Sequence, residues 1–317
     1  MTQKTELISI VIPCYNEEEV IELCHDRVAK VTADMSYDFE ILYINDGSTD
    51  KTQELLEKLS KEDKRITIIN LSRNFGKEAA MTAGIDNVNG DAMIILDADL
   101  QDPPELIPDM IDLWKQSDAD VVYGQRMMRE GETWFKKFTA NGFYNVINFI
   151  ANNVEIPKNT GDFRLMNRRS IDALIQLREK HRFMKGLFAW IGYKQVSLQY
   201  NRAPRAAGTT KWNYLKLWHF AQEGITAFST TPLRIAGMCG LLISLFSFVF
   251  GAYIVIKTLV LGTAVPGWAS IMVMLTFLSG IQLLSIGILG EYIGRIFGEV
   301  KRRPLYFIDE KKSGKSK

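Results

Sequence analysis

The apolar residues of this chain follow two regimes. Through the first two thirds they come in short runs that stop at polar or turn residues. Leu7–Ile12 ends at Pro13, Phe39–Ile44 at Asn45-Asp46-Gly47, Ile66–Ile69 at Asn70, Ala92–Leu96 at Asp97, and Val121–Tyr123 at Gly124. Runs this apolar fit parallel strands buried on both faces. Helical stretches lie between them: Glu17–Met35 behind Asn16 as N-cap, Thr52–Lys61 behind Ser48 and Asp50, and Lys77–Asn87 behind Gly76. The alternation predicts an α/β fold with an open, mostly parallel sheet, whose ligands sit beyond the carboxyl ends of the strands.

The second regime is continuous. Ile235–Ile256 and Val265–Leu289 contain no charged residue, and each exceeds the about 20 residues a helix needs to cross a bilayer core. Two membrane spans are predicted. Arg202, Arg205, Lys211, Lys216 and Arg234 precede them, Arg295, Lys301, Arg302 and Arg303 follow, and the short loop between carries only Lys257. That asymmetry predicts both ends on the cytoplasmic side of the plasma (inner) membrane. The polar start, Met1–Glu6, shows no apolar leader, so residues 1–230 are expected in the cytoplasm. The expected organisation is a cytoplasmic domain over 1–230, a two-helix hairpin over 231–292, and a basic tail over 293–317. Lys311–Lys317 is expected to be mobile near anionic headgroups. Gly290, Gly294 and Gly298 predict close packing against the first span or another subunit. Segments 132–150 and 210–228 mix aromatic and basic residues (Trp134, Phe135 and Lys136; Trp212, Tyr214 and Lys216). They read as helices in the headgroup plane, or as amphipathic helices packed on the domain.

Composition narrows the classes. The 317 residues suit about two domains. Thirty-eight basic against 37 acidic residues leave a net charge of +1, which gives no electrostatic case for nucleic acid. A hydrophobic share of 47% and only 3 Cys exclude a disordered chain and a disulfide scaffold.

Polar residues gather where the predicted strands end: Pro13-Cys14-Tyr15-Asn16-Glu17, Asn45-Asp46-Gly47-Ser48, Ser72–Lys77, and Asp97–Asp102. Four such loops at one edge of one sheet make a site. No G-x-G-x-x-G follows the first strand, so a dinucleotide phosphate cradle is missing. Asp97-Ala98-Asp99 offers another way to handle phosphates. Two carboxylates at a strand end can hold Mg²⁺ or Mn²⁺, with Gln101 adding a neutral oxygen and substrate phosphates completing the shell. Cys14 reads as a small packed residue. His25, His181 and His219 are too scattered for zinc. Arg126 and Arg129 either approach a phosphate or lie on a solvated face.

VIPCYNEEE, NDGSTD, SRNFGKEAA, DADLQDPPE, GDFRLMNR and the segment Arg205–Trp212 together resemble glycosyltransferase family 2 in order and spacing. Within it they resemble the polyprenyl-phosphate hexosyltransferase branch of bactoprenol glucosyltransferases and dolichol-phosphate mannose synthases. The resemblance implies a GT-A fold, helices on both faces of the sheet, and interfacial and transmembrane helices after it. It implies metal-dependent, inverting transfer of one hexose, glucose first, from a UDP-sugar to undecaprenyl phosphate for cell-surface glycan modification. It also implies a homo-oligomer working beside a lipid-linked-sugar flippase. Carried over by position, Pro13, Tyr15 and Glu17 line the nucleotide pocket, Asp46 reads uracil, and Arg73 and Lys77 lie close to the nucleotide. Asp97 contacts ribose or metal-bound water, and Asp99 is the direct metal ligand beside Gln101.

Asp162 falls at the family's catalytic carboxylate. A phosphate monoester, with its second pKa near about 6, is already largely a dianion at neutral pH. Orientation and charge stabilisation are therefore favoured over base action. The other reading of Asp162 is an N-cap for a helix over Leu165–Leu177. Arg164 reads as a structural ion-pair partner. Arg202 and Lys211, just ahead of the first span, are the candidates for the acceptor phosphate. N-acetylglucosamine or mannose remain alternative sugars. A processive polysaccharide synthase lacks support, since Q-x-x-R-W and further spans are missing. An inactive adaptor or transporter fares no better, since spans without charge offer a sugar phosphate no path.

Overall fold

The computed structural model describes residues 5–127, 157, 159–201, 231–261 and 267–314. The chain divides into two units, Met1–Gly224 with Arg303–Lys317, and Ile225–Arg302.

The first unit is built on eight strands: β1 (Leu7–Cys14), β2 (Asp38–Asn45), β3 (Ile66–Leu71), β4 (Ala92–Ile95), β5 (Val121–Arg126), β6 (Thr160–Asn167), β7 (Gln195–Tyr200) and β8 (Ile308–Ser313). Their order is β7-β5-β6-β4-β1-β2-β3-β8. β6 and β8 run antiparallel to their neighbours, and the remaining pairs are parallel. The helices are α1 (Ile21–Ala33), α2 (Thr52–Glu62), α3 (Lys77–Asn87), α4 (Ile107–Ser117) behind a 3₁₀ turn, α5 (Arg168–Gln176) and α6 (Met184–Trp190).

Alternation along β1 assigns the two faces. Ile8, Ile10 and Ile12 pack with Ile21, Cys24 and Val28 of α1, Leu56 of α2 and Met110 of α4. Val11 faces the other way, toward α3. Gly84 permits that approach, because a side chain there would run into Val11. Both faces are covered, which is why the strands read as unbroken apolar runs.

Several expectations need correction. Pro13 does not end β1; pairing with β2 continues to Cys14↔Asn45. Its missing N–H falls on the β4 side, where the ladder already stops at Val11↔Ile95. Asn16 is not the cap of α1. With φ 55°, it accepts the Thr49 N–H at 2.8 Å, and the helix begins later, at Ile21. The chain over 165–167 is strand, and α5 is capped by Asn167, which accepts the Ser170 N–H at 3.0 Å. Asp162 therefore lies inside β6 and is no helix cap. The tail is not mobile through Ser313: β8 pairs with β3 through Ile69↔Lys311 and Ile68↔Lys312. Segments 132–150 and 210–228, with Arg129, Arg202, Arg205 and Lys211, lie outside the described residues.

The second unit is two helices in contact, α7 (Thr231–Leu261) and α8 (Trp268–Val300). Leu233–Tyr253 and Val273–Val300, with mean hydropathies of 2.1 and 1.9, are long and apolar enough to cross a membrane. Leu241, Phe248, Leu259 and Leu283 are exposed on them. A Cβ added at Gly290 or Gly294 would meet nothing within 4 Å. Among the described residues these glycines are not where α8 approaches α7.

Candidate active site

On one side of the sheet's carboxyl edge the loops are tied by hydrogen bonds from backbone amides. Asp46, 2% exposed, directly follows β2. Its Oδ1 accepts the Phe75 N–H at 2.7 Å and its Oδ2 the Gly76 N–H at 2.8 Å. Burial lifts its carboxyl above the ordinary range, against the pull of those amides and of Arg73. Gly47 follows with φ 64°, and a Cβ there would lie 2.6 Å from the Arg73 carbonyl carbon and 2.7 Å from the Asn74 nitrogen. Only glycine lets the two loops pass so closely. The Arg73 guanidinium sits 4.1 Å from the centre of the Phe75 ring. The β1 loop joins the same web through Asn16 N–H to Ser48 Oγ (3.0 Å) and Glu17 N–H to Thr52 Oγ1 (2.9 Å). Pro13 lies partly buried at the β1 end, and Tyr15 is 39% exposed beside it. Asp46 thus braces the Arg73–Gly76 loop. Each of its oxygens, having accepted one amide, keeps a second acceptor lone pair.

On the other side, charges are tied to charges. α3 starts at Lys77, whose Nζ lies 2.7 Å from Asp97 and 2.7 Å from Asp162. Carrying the antiparallel register two residues past Ile95↔Arg164 sets Asp97 opposite Asp162. Burial would raise the Asp162 pKa, but Lys77, Lys185 and Arg164 hold it well below the usual carboxylate range. Asp97 moves the other way, raised by burial despite Lys77, with the Asp162 charge adding to the rise. Burial works against the Lys77 charge, yet the two carboxylates push its pKa well above the ordinary value. Next to it, burial and the Asp162 charge lift Glu78 to about 8, and its Oε2 accepts the Met184 N–H at 3.3 Å.

Asp99 and Gln101 follow in the β4 loop, the Gln101 N–H reaching Asp99 Oδ1 at 3.1 Å. Leu100 between them takes φ 57°, a left-handed backbone that costs a non-glycine residue on the order of 1–3 kcal/mol. Its side chain is fully packed in the core, which holds the strained loop in place. Asp97 Oδ1 is buried and accepts no hydrogen bond among the described residues; the Lys77 charge alone compensates it. No cluster of three or more His, Cys, Asp or Glu suited to a metal occurs among the described residues. The two carboxylates and one amide expected to hold a hard cation, Asp97, Asp99 and Gln101, would leave coordination positions for a substrate's phosphates.

Three residues escaped the sequence analysis as a group. Asp102 is fully buried. It accepts the Tyr200 hydroxyl and lies 3.3 Å from Arg126 Nη2, while Arg126 Nε donates to the Tyr200 oxygen at 3.2 Å. Arg126 thus joins β5 and β7 to the β4 loop, and it does not lie on a solvated face. Arg164 is buried too, 3.6 Å from the Phe188 ring centre, and donates to the Gly161 carbonyl at 2.9 Å. It holds the backbone around Asp162; the contacts observed are with carbonyls and a ring, not the ion pair expected for it.

With this geometry in hand, the comparisons with known proteins are decisive. The family model described as Glycosyl transferase family 2 matches residues 9–175. The chain belongs to that family. It is 50% identical over 303 residues to an uncharacterised glycosyltransferase of Synechocystis sp., covering 96% of this chain and 95% of that one. It is 45% identical over 301 residues to the prophage bactoprenol glucosyl transferase homolog of Escherichia coli, covering 95% and 98%. With the SfII prophage-derived bactoprenol glucosyl transferase of Shigella flexneri the identity is 45% over 307 residues, covering 97% and 99%. Among solved structures it is similar to glucosyl-3-phosphoglycerate synthase of Mycobacterium tuberculosis in complex with Mn²⁺, UDP and phosphoglyceric acid. That match has TM-score 0.54 and 16% identity and covers 70% of this chain and 76% of that one, a likeness of fold. The fold is GT-A-like, and the protein is a glycosyltransferase. In this family 2 enzyme the matched segment holds Asp46, Lys77, Asp97, Asp99 and Asp162, whereas Lys185, Tyr200 and β8 lie beyond it.

Proposed function

We propose that this glycosyltransferase moves one hexose, glucose first, from a UDP-sugar to undecaprenyl phosphate at the cytoplasmic face of a membrane, with inversion. The observation that carries the reading is the Asp97–Lys77–Asp162 cluster at the sheet edge in a chain that also bears two exposed apolar helices. The near full-length similarity to proteins named bactoprenol glucosyl transferase supports the lipid acceptor, and outward-facing leucines and phenylalanines on α7 and α8 support a bilayer around them.

Asp99, Asp97 and Gln101 would hold Mg²⁺ or Mn²⁺. When bound, the cation supplies Lewis-acid stabilisation of the charge on the departing UDP. Tyr15, Pro13, Glu17 and Arg73 border the nucleotide, with Asp46 fixing the loop that carries Arg73. Lys77 keeps its charge and orients Asp97 and Asp162. Asp162, held ionised by Lys77, is too weak a base to be needed as one; the acceptor phosphate is already largely dianionic near neutral pH. Its negative charge faces the oxocarbenium character that develops on the sugar. Arg202 and Lys211 are proposed to hold the acceptor phosphate.

The test uses the full chain in membranes or detergent, with undecaprenyl phosphate and a panel of radiolabelled nucleotide sugars. Label from UDP-glucose should enter the organic phase as a single-sugar lipid, and only with divalent cation and lipid phosphate present. Label in a polymer, or none in lipid from any donor, overturns the reading.

A further inference from the structure

The chain leaves α8 at Val300 and, a few residues later, re-enters the catalytic sheet as β8. What precedes β8 touches the donor-side loop. The Ser72 N–H donates to the Phe307 carbonyl at 3.0 Å. The Phe307 ring lies 6.4 Å from the Phe75 ring, inclined at 51°, and Phe75 is the ring over which Arg73 sits. Tyr306 donates its hydroxyl to Asp86 near the end of α3 at 2.7 Å, and Arg178 meets the same carboxylate at 2.8 Å. The β3–β8 register shifts between Asn70 and Leu71, where Phe307 comes alongside the loop. Phe307 remains 56% exposed, so core burial alone does not account for a large ring there.

From this we infer that Tyr306 and Phe307 are positioning residues for the donor site. Asp46 holds the Ser72–Gly76 loop from the β2 side, and Phe307 holds it from the opposite strand edge. Phe75 pinned between them fixes the Arg73 guanidinium for a nucleoside diphosphate. The inference rests on the donor assignment made above. It adds that the peptide following the second apolar helix is part of the donor-binding apparatus.

The experiment compares full-chain Phe307→Ala, Phe307→Leu and Tyr306→Phe with wild type, reading UDP affinity, donor KM, kcat and Tm. Phe307→Ala should weaken UDP binding and raise donor KM about tenfold with kcat nearly unchanged, since a small misplacement of a binding group is amplified in this way. Phe307→Leu should recover most of the loss, and Tyr306→Phe should show a smaller rise in KM. Lys312→Ala, which removes the 2.8 Å contact with Glu57 farther along β8, should lower Tm and leave donor KM alone. An unchanged KM in Phe307→Ala overturns the inference, as does a joint loss of kcat and affinity that merely follows Tm. Should Phe307→Ala fail to fold, unchanged UDP affinity in both milder variants overturns it. If wild type binds no UDP, the donor assignment fails first. Hydrogen exchange of amides 72–76 then decides: faster exchange in the Phe307 variants supports the brace, and unchanged exchange overturns it.

Discussion

The two sides of the catalytic edge satisfy buried acids by different means. Beyond β1–β3, Asp46 is met by two backbone amides, and the neutral side chain of Asn16 accepts a third. Beyond β4 and β6, Asp97 and Asp162 share one ammonium. Amide bonds are directional and carry no net charge, so they fix loop shape whether or not a ligand is present. An ion cluster is long-ranged, and its energy changes when a charged ligand enters. The first arrangement builds a rigid frame, and the second leaves the reacting end electrostatically responsive.

The same chemical change on each side should expose the contrast. Asp162→Asn is expected to lower kcat about 10³-fold, measured by lipid extraction of labelled product. Asp99→Asn should lose about 10²-fold or more with Mg²⁺ or Mn²⁺ present; wild-type rates would break the metal assignment. Lys77→Met leaves two facing carboxylates without their cation. The loss should be about 2–3 kcal/mol, at or below the low end for a buried pair because the Lys77 side chain is 46% exposed. Denaturant unfolding reads it. Asp46→Asn forfeits one amide contact and should cost about 1–3 kcal/mol, with a rise in donor KM but little change in kcat. Equal kinetic damage at Asp46 and Asp162 would erase the distinction.

A pH-dependent effect concerns Glu78. Its folded pKa is raised to about 8, so the folded state keeps a proton that the unfolded state releases near about 4.3. That contribution is full below the unfolded value and is lost as pH rises toward 8. Glu78→Gln should flatten the fall in Tm across that window. A slope identical to wild type would show that Glu78 carries no such shift.

Much of the frame was legible in the sequence. α3 occupies Lys77–Asn87 as its apolar pattern and Gly76 indicate, and Asp97 and Asp99 follow the β4 run as a strand-end pair must. What stayed hidden depends on distant pairing or on rare backbone. Nothing local sets Asp97 opposite Asp162, because β6 is reversed and enters beside β4 from much later in the chain. Tyr200 and Asp102 are 98 residues apart. Leucine is an unfavourable residue for a left-handed backbone, so Leu100 gives no hint of its φ. Asp309–Lys312 is charged because an edge strand needs only backbone partners on one side, and such a segment reads as solvated tail.

The placement of β8 also bears on how this protein can be cut. β3 would otherwise present a full row of unpaired N–H and C=O groups, with Ile66 and Ile68 behind them, a template for sheet-to-sheet aggregation. The polar strand from the far terminus shields that row, its lysines discouraging another strand from docking. A water-soluble fragment that stops ahead of the apolar helices would lose the shield, and would clump before any defect in turnover could be measured.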